Sequence, residues 1–223
     1  MVRSADVLVV MAKYPNPGAV KTRLANQVGI DAACALYRAF LADIGARFAS
    51  GPWQLVWAVT PPGADLLSFV GSGCRQIAQE GSDLGDRMRR CFLRLLEEGS
   101  TRVVMIGADA PHIAPATVQT AFSALTDHDA VLVPTGDGGY CLVGLRHPHD
   151  IFSRIPMGTA AVFEKTAARL AALGVRWQAL EPSFDVDELD DVRELARQIA
   201  SGEVELSHTA AVLRDWRAAG LLA

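Results

Sequence analysis

Short apolar runs alternate with longer segments of helical periodicity along almost the whole chain, and this alternation constrains the fold more than any other feature. The runs Val7–Ala12, Gln54–Thr60, Arg75–Ala78, Arg102–Gly107, Ala130–Pro134 and Tyr140–Leu145 read as strands. Asp31–Phe48, Leu84–Leu96, Pro115–Leu125, Thr159–Leu173, Leu189–Ile199 and Ser207–Ala219 read as helices. Parallel strands need long crossovers, which these helices supply, so an α/β fold is expected. Pro and Gly clusters close the strands: Pro15, Pro17 and Gly18 after the first, Pro61, Pro62 and Gly63 after the second, Gly136, Gly138 and Gly139 after the fifth. No repeat, low-complexity tract or long linker divides the 223 residues, so a single domain over 1–223 is expected.

Composition narrows the function classes. Lys and Arg number 21 against 25 Asp and Glu, a net charge of -4, which does not make the cationic face that bulk nucleic-acid binding demands. The first apolar run stops at Lys13, too short for a leader or a membrane span. A cytoplasmic protein with no nucleic-acid or membrane partner is therefore expected. Cys34, Cys74, Cys91 and Cys141 are scattered with no CxxC pair, which fits reduced thiols better than a disulfide framework or a zinc site.

Five segments stand out, the first four at strand ends and the fifth ahead of a helix. Lys13–Leu24, KYPNPGAVKTRL, lacks Walker A spacing but sets Lys21, Thr22 and Arg23 in a Pro/Gly loop. Only three lysines exist, Lys13, Lys21 and Lys165, and two of them lie here. Backbone amides and cations at such a loop can converge on phosphate, or these side chains are plain solvated surface. Gln79–Met88, QEGSDLGDRM, offers Gly81 and Gly85 for close approach of a nucleoside, or Ser82 or Asp83 as an ordinary helix cap. Val103–Pro111 delivers Asp109 to the sheet edge, where it either holds Mg²⁺ or caps the following turn. Gly136–Tyr140, GDGGY, is either a hairpin turn or a glycine-lined approach to a bound group, with Asp137 as general base or hydroxyl partner. Phe184–Val192, FDVDELDDV, belongs to a stretch in which seven of the fourteen residues from Glu181 to Glu194 are acidic. Alternation puts Asp185 and Asp187 on one face if the chain is extended, within reach of one cation; otherwise they are solvent-facing acids before a helix. His112 beside Asp109 either touches this site or is a core histidine, and no HExxH or GxSxG pattern is present.

Taken in order, AKYPNPGAVKTRLA, QEGSDLGDRM, IGADAP, PTGDGGYCLVGL and FDVDELDDV resemble the bacterial DUF2064 family over about Val7 to Leu195. That family is also described as radical-SAM/selenodomain-associated transferase 1 or arsenosugar-biosynthesis-type glycosyltransferase. More distantly the chain is similar to 2-phospho-lactate and molybdenum-cofactor guanylyltransferases. The resemblance implies a glycosyltransferase A-type fold of nucleotide-diphospho-sugar transferases, a three-layer α/β/α sandwich with a mostly parallel mixed sheet. It assigns Ala12, Lys13, Gly18, Lys21, Thr22 and Arg23 to nucleotide phosphates and Gln79, Gly81, Leu84 and Gly85 to the nucleoside. Asp109, with Asp187 and Asp185, becomes the site of Mg²⁺ or Mn²⁺, and Asp137, Gly138, Gly139 and Tyr140 the substrate segment. Asp109, Asp137, Lys21 and Arg23 are the implied catalytic set. Three departures stand out: Ala108 and Ala110 replace the Ser and Cys of a Ser-Asp-Cys-Pro motif, Asp187–Asp191 replaces Asp-Thr-Pro-Glu-Asp, and Pro156–Gly158 replaces a Trp-Ser pair.

The expected activity is metal-dependent transfer from a nucleotide-activated donor to a small-molecule acceptor, first as glycosyl transfer from a nucleotide-sugar. Nucleotidyl transfer from an NTP to a phosphorylated acceptor, with pyrophosphate released, is the alternative, and a non-catalytic nucleotide-binding protein is a third. A homodimer is compatible with this reading.

Overall fold

The computed structural model describes residues 6–71 and 73–222. Among them, seven strands form one sheet in the order β3-β2-β1-β4-β6-β5-β7. These are β1 (Asp6–Lys13), β2 (Gln54–Thr60), β3 (Arg75–Ala78), β4 (Arg102–Gly107), β5 (Ala130–Pro134), β6 (Tyr140–Leu145) and β7 (Trp177–Ala179). β6 runs antiparallel to both β4 and β5, and the remaining pairings are parallel. The mixed, mostly parallel sheet expected from the sequence is therefore present.

Side-chain alternation sorts the strands onto two helical layers. Leu8 and Val10 of β1, Trp57 and Val59 of β2 and Val104 and Ile106 of β4 face α2 (Ile30–Phe48), α5 (Pro115–Ala124), α7 (Leu189–Ser201) and α8 (Ser207–Ala218). Val7, Val9, Val56, Ala58, Val103 and Met105 face the opposite way, onto α4 (Leu84–Glu97) and α6 (Val162–Ala172). Two short helices complete the chain, α1 (Thr22–Val28) and α3 (Leu67–Val70). No helix among the described residues is long and apolar enough to cross a membrane.

Four elements differ from the sequence expectation by more than two residues at an end. α1 begins inside the stretch read as a loop, α3 and β7 were not expected, and α6 begins at Val162 rather than Thr159. β7 has three residues, two of them exposed, at the sheet's edge, so it carries no apolar run to find. The Gly158–Ala161 segment turns before α6 instead of joining it.

Arg102 ties the middle of this frame together. Its guanidinium grips both Asp6 carboxylate oxygens at 2.7 Å and donates to the Phe122 carbonyl at 2.8 Å, linking β4, β1 and the end of α5. Because the group is partly solvated, Arg102→Ala is expected to cost about 1–2 kcal/mol in a urea titration, with the slope unchanged.

Candidate active site

Parallel strands end on one edge of a sheet, so the loops after β1, β3, β4 and β5 and the segment after β7 gather there. β1 and β4 are neighbours, but the chain leaves β1 towards β2 and β3 on one side and leaves β4 towards β6 and β5 on the other. That divergence is the switch point where open α/β sheets hold ligands.

Helix α2 fixes the first loop from beneath. Tyr37 Oη accepts from the Lys13 backbone N–H at 3.0 Å, while Cys34 Sγ and Arg38 Nη2 both donate to the Pro15 carbonyl at 3.1 Å. These side chains occupy positions i, i+3 and i+4, one face of the helix. Burial pushes the Tyr37 phenol well above its ordinary pKa, with the Asp109 charge adding to it.

Lys21 sits at the end of this loop in the left-handed region, φ 48°, immediately before α1. Its side chain is 1% exposed. The ammonium is ion-paired to Asp109 and donates to the Val186 carbonyl at 2.7 Å and to Asp187 Oδ1 at 3.2 Å. An ammonium has three N–H donors, and all three are taken within the protein. Burial works against its charge, but Asp109 and Asp187 outweigh that and hold its pKa above the ordinary lysine value. The Val186 N–H donates to the Asp109 carbonyl at 2.9 Å, so backbone and side chain together lock the Asp185–Asp187 segment to the loop after β4.

Asp185 and Asp187 flank Val186, which is fully buried. Asp187 is half-exposed and paired, whereas the carboxylate of Asp185 has no hydrogen-bond partner among the described residues. Burial, then repulsion from Asp109, with smaller contributions from Asp187 and Asp137, pushes its pKa up to about 7 against the pull of Lys21. The folded state thus holds the Asp185 proton more tightly than the unfolded chain. Its contribution is fully present below about pH 4 and is lost as pH rises through about 7. Asp185→Asn is therefore expected to be more stable than the parent at pH 8, by about 2 kcal/mol after allowance for solvent screening, with the gap closing near pH 4 in paired thermal melts.

The GDGGY segment is a tight hairpin between β5 and β6. Asp137 Oδ1 accepts from Thr135 Oγ1 at 2.5 Å and from the Gly139 N–H at 3.1 Å, which leaves Oδ2 free on an exposed turn. Gly138 has φ +87°, and a Cβ there would collide with the Ala160 carbonyl. The glycine thus serves the approach of the Gly158–Ala161 segment. Tyr140 does not join the cluster: its hydroxyl is enclosed, beside Thr166, and burial raises its pKa.

The segment after β3 also spends much of its chemistry internally. Gln79 Nε2 donates to the Ala12 and Ala58 carbonyls at 3.0 and 2.8 Å, joining the ends of β1 and β2. Asp83 caps α4 by accepting from the Asp86 N–H at 2.9 Å. A Cβ on Gly85 would lie 3.2 Å from the Phe152 carbonyl, so this glycine packs α4 against the chain. Gly81, with φ +147°, begins the turn, and Leu84 stays 48% exposed at the rim. Around the first loop, Lys13, Gly18, Thr22 and Arg23 are exposed, and neither Lys13 nor Arg23 forms an ion pair among the described residues.

Asp109 and Asp187 therefore hold the ammonium, its charge reaches Asp185, and Asp137 lies within electrostatic reach of Asp185. No three His, Cys, Asp or Glu side chains among the described residues converge into a ready metal cage. An oxygen-only set with one unpartnered carboxylate nevertheless fits a hard divalent cation, which completes its shell with water and phosphate. The sequence pattern singled out these acids, but not the positions that fix the first loop beside them. Tyr37 and Arg38 read as ordinary helix residues.

Residues 43–159 match the model of a family described as an uncharacterized protein conserved in bacteria, DUF2064. The chain belongs to the DUF2064 family. A crystallised protein of Desulfovibrio desulfuricans G20, provisionally described as a nucleotide-diphospho-sugar transferase, superposes on this DUF2064 chain with TM-score 0.90 at 34% identity, covering 96% of each. A phosphoenolpyruvate guanylyltransferase of Chloroflexus aurantiacus is 25% identical over 151 residues, 66% of this chain and 71% of that protein. A cytidylyltransferase of Leptospira borgpetersenii shares the fold alone, with TM-score 0.56 at 11% identity over 98% and 96% of the two chains. The DUF2064 chain has a nucleotide-diphospho-sugar transferase-like fold, and its relatives point to a transferase-type family.

Proposed function

We propose that this chain is a Mg²⁺- or Mn²⁺-dependent transferase that moves a glycosyl group from a nucleotide-sugar to a small acceptor. The observation carrying this reading is the occupancy of Lys21. With its three donors spent on Asp109, Asp187 and Val186, it neutralises carboxylates and has no N–H left for phosphate. That leaves Arg23 and Lys13 as the free cations of the first loop, a small complement for a triphosphate and a better match to a sugar diphosphate.

Asp109 and Asp187, with Asp185, would hold the cation, which when bound supplies positive charge to the phosphates of donor and leaving group. Arg23 and the backbone of the first loop orient the diphosphate at the switch point. Leu84 and Gly81 offer an apolar and backbone rim to the nucleoside. Asp137 Oδ2 accepts the proton of the acceptor hydroxyl as that oxygen attacks the sugar carbon and the nucleoside diphosphate leaves.

Nucleotidyl transfer is the second reading, supported by the similarity to a phosphoenolpyruvate guanylyltransferase. The product separates the two. Incubation with Mg²⁺, nucleotide-sugars or NTPs and candidate acceptors should yield a nucleoside diphosphate; pyrophosphate instead replaces the first reading with the second. Asp109→Asn and Asp187→Asn should each abolish turnover and metal-dependent donor binding without unfolding. Donor binding that is independent of metal and unchanged in both variants would leave a non-catalytic nucleotide-binding protein.

A further inference from the structure

A cavity of about 420 Å³ opens between the start of α5 and the segment that follows β7. Its floor is apolar, with Ile113, Val133 and Leu180, and its polar lining includes Thr117, Glu181 and Ser183. The volume lies within the range of small-molecule sites, and an apolar floor with a few polar groups is their usual composition.

Two lining residues, Ser183 and His112, connect this cavity to the segments that carry the carboxylates. Ser183 lines the cavity and forms a parallel bridge with Thr135, whose hydroxyl holds Asp137. Asp185 follows two residues later. His112, three residues after Asp109, donates to or accepts from Ser183 Oγ at 3.0 Å and stacks on Phe184 at 4.0 Å between ring centroids. A chain of contacts, from Ser183 to Thr135 to Asp137, therefore links the cavity lining to the hairpin that presents Asp137.

The charge of the lining selects the ligand. Glu181 is exposed and forms no ion pair among the described residues. Burial, then the charge of Arg47, pushes the His112 pKa down to about 4, so its imidazole is neutral near pH 7. No Lys or Arg is among the lining residues. Arg47, whose charge reaches His112, donates to the Pro111 carbonyl and does not line the cavity, so a phosphorylated or carboxylated ligand would meet Glu181 with no cation in the lining to offset it.

We propose that this cavity is the acceptor subsite and takes a small hydroxylated molecule that is neutral or cationic, excluding phosphorylated ones. The assignment of the ligand as acceptor rests on the transferase reading above; the charge selection rests on the cavity alone.

Saturation-transfer NMR with glucosamine, glucose and glucose 6-phosphate as probes tests the selection. The expected order of binding is glucosamine, then glucose, with glucose 6-phosphate weakest. Glu181→Lys should shift the ratio of glucosamine to glucose 6-phosphate affinity by about three- to fivefold or more towards the phosphate, as expected for a partly solvated charge. Thr117→Trp should fill the cavity and abolish all three signals. Thermal stabilisation by nucleotide-sugars with Mg²⁺, measured on the same samples, should persist in both variants and shows that they are folded.

Glucose 6-phosphate binding as well as glucose, an order unchanged in Glu181→Lys, or signals unchanged in Thr117→Trp each overturn the cavity proposal. Loss of all sugar signals in the parent with donor stabilisation intact does the same while sparing the transferase reading. The expected sugar order without any nucleotide stabilisation supports the cavity and overturns the transferase reading.

Discussion

Lys21→Met should lower the thermal midpoint by about 5–10 °C and abolish turnover. The methylene stem stays buried in this variant, but Asp109 and Asp187 lose their shared cation and Val186 its hydrogen-bond donor. Breaking a buried pair costs about 3–5 kcal/mol. Here both carboxylates keep more than 40% of their side-chain surface in water, at 49% and 44%, and can rehydrate, so about 2–3 kcal/mol is the appropriate scale. For a chain of this length each kcal/mol moves the midpoint by about 2–4 °C. The same variant should gain more stability from added Mg²⁺ than the parent does, because three carboxylates are then without a counter-charge. A midpoint unchanged within 1 °C, roughly the smallest shift such melts resolve, would show that Lys21 does not organise the cluster.

The second large effect lies where α2 meets the start of α8. Asp43, on α2 and 2% exposed, accepts from the backbone N–H groups of His208 and Thr209 at 2.9 and 2.8 Å. It caps the start of α8 from another helix, in place of the local cap that Leu206 lacks. Asp43→Ala removes two charge-assisted hydrogen bonds and leaves two donors at a helix start where the macrodipole favours an anion. The expected loss is about 3 kcal/mol, or about 6–12 °C in a circular-dichroism melt. Asp43→Asn keeps an acceptor and should lose about half as much. If Ala and Asn behave alike, the carboxylate charge rather than the hydrogen bonds carries the cap.

Most of the sheet was legible in the sequence because its strands are β-rich runs stopped by Pro or Gly. Gln54–Thr60, Arg102–Gly107, Ala130–Pro134 and Tyr140–Leu145 have the bounds that punctuation sets. β7 was not legible, since an exposed edge strand of three residues has neither length nor alternation. α1 escaped because it follows directly on Lys21, a residue with positive φ at the end of a Pro/Gly stretch. At the site, residue type and rarity singled out Lys21, Asp109, Asp185 and Asp187 as candidates. Where the ammonium would point was not legible, because its partner Asp187 is 166 residues away and only the folded sheet brings them together. The glycines are ambiguous for a related reason. Gly85 and Gly138 are small because other parts of the chain press on them, and a sequence cannot say whether the close neighbour is a ligand or the protein itself.

The hold of α2 on the first loop bears on the thermodynamics of any ligand that meets it. Cys34, Tyr37 and Arg38 make Lys13–Pro15 an extension of a 19-residue helix rather than a free strap. A phosphate arriving there finds its partners already placed and spends little conformational entropy on ordering them. Affinity at this loop should therefore respond to changes within α2 that never touch the ligand. Arg38→Ala, by loosening Pro15, should make nucleotide binding more enthalpic and less favourable in entropy.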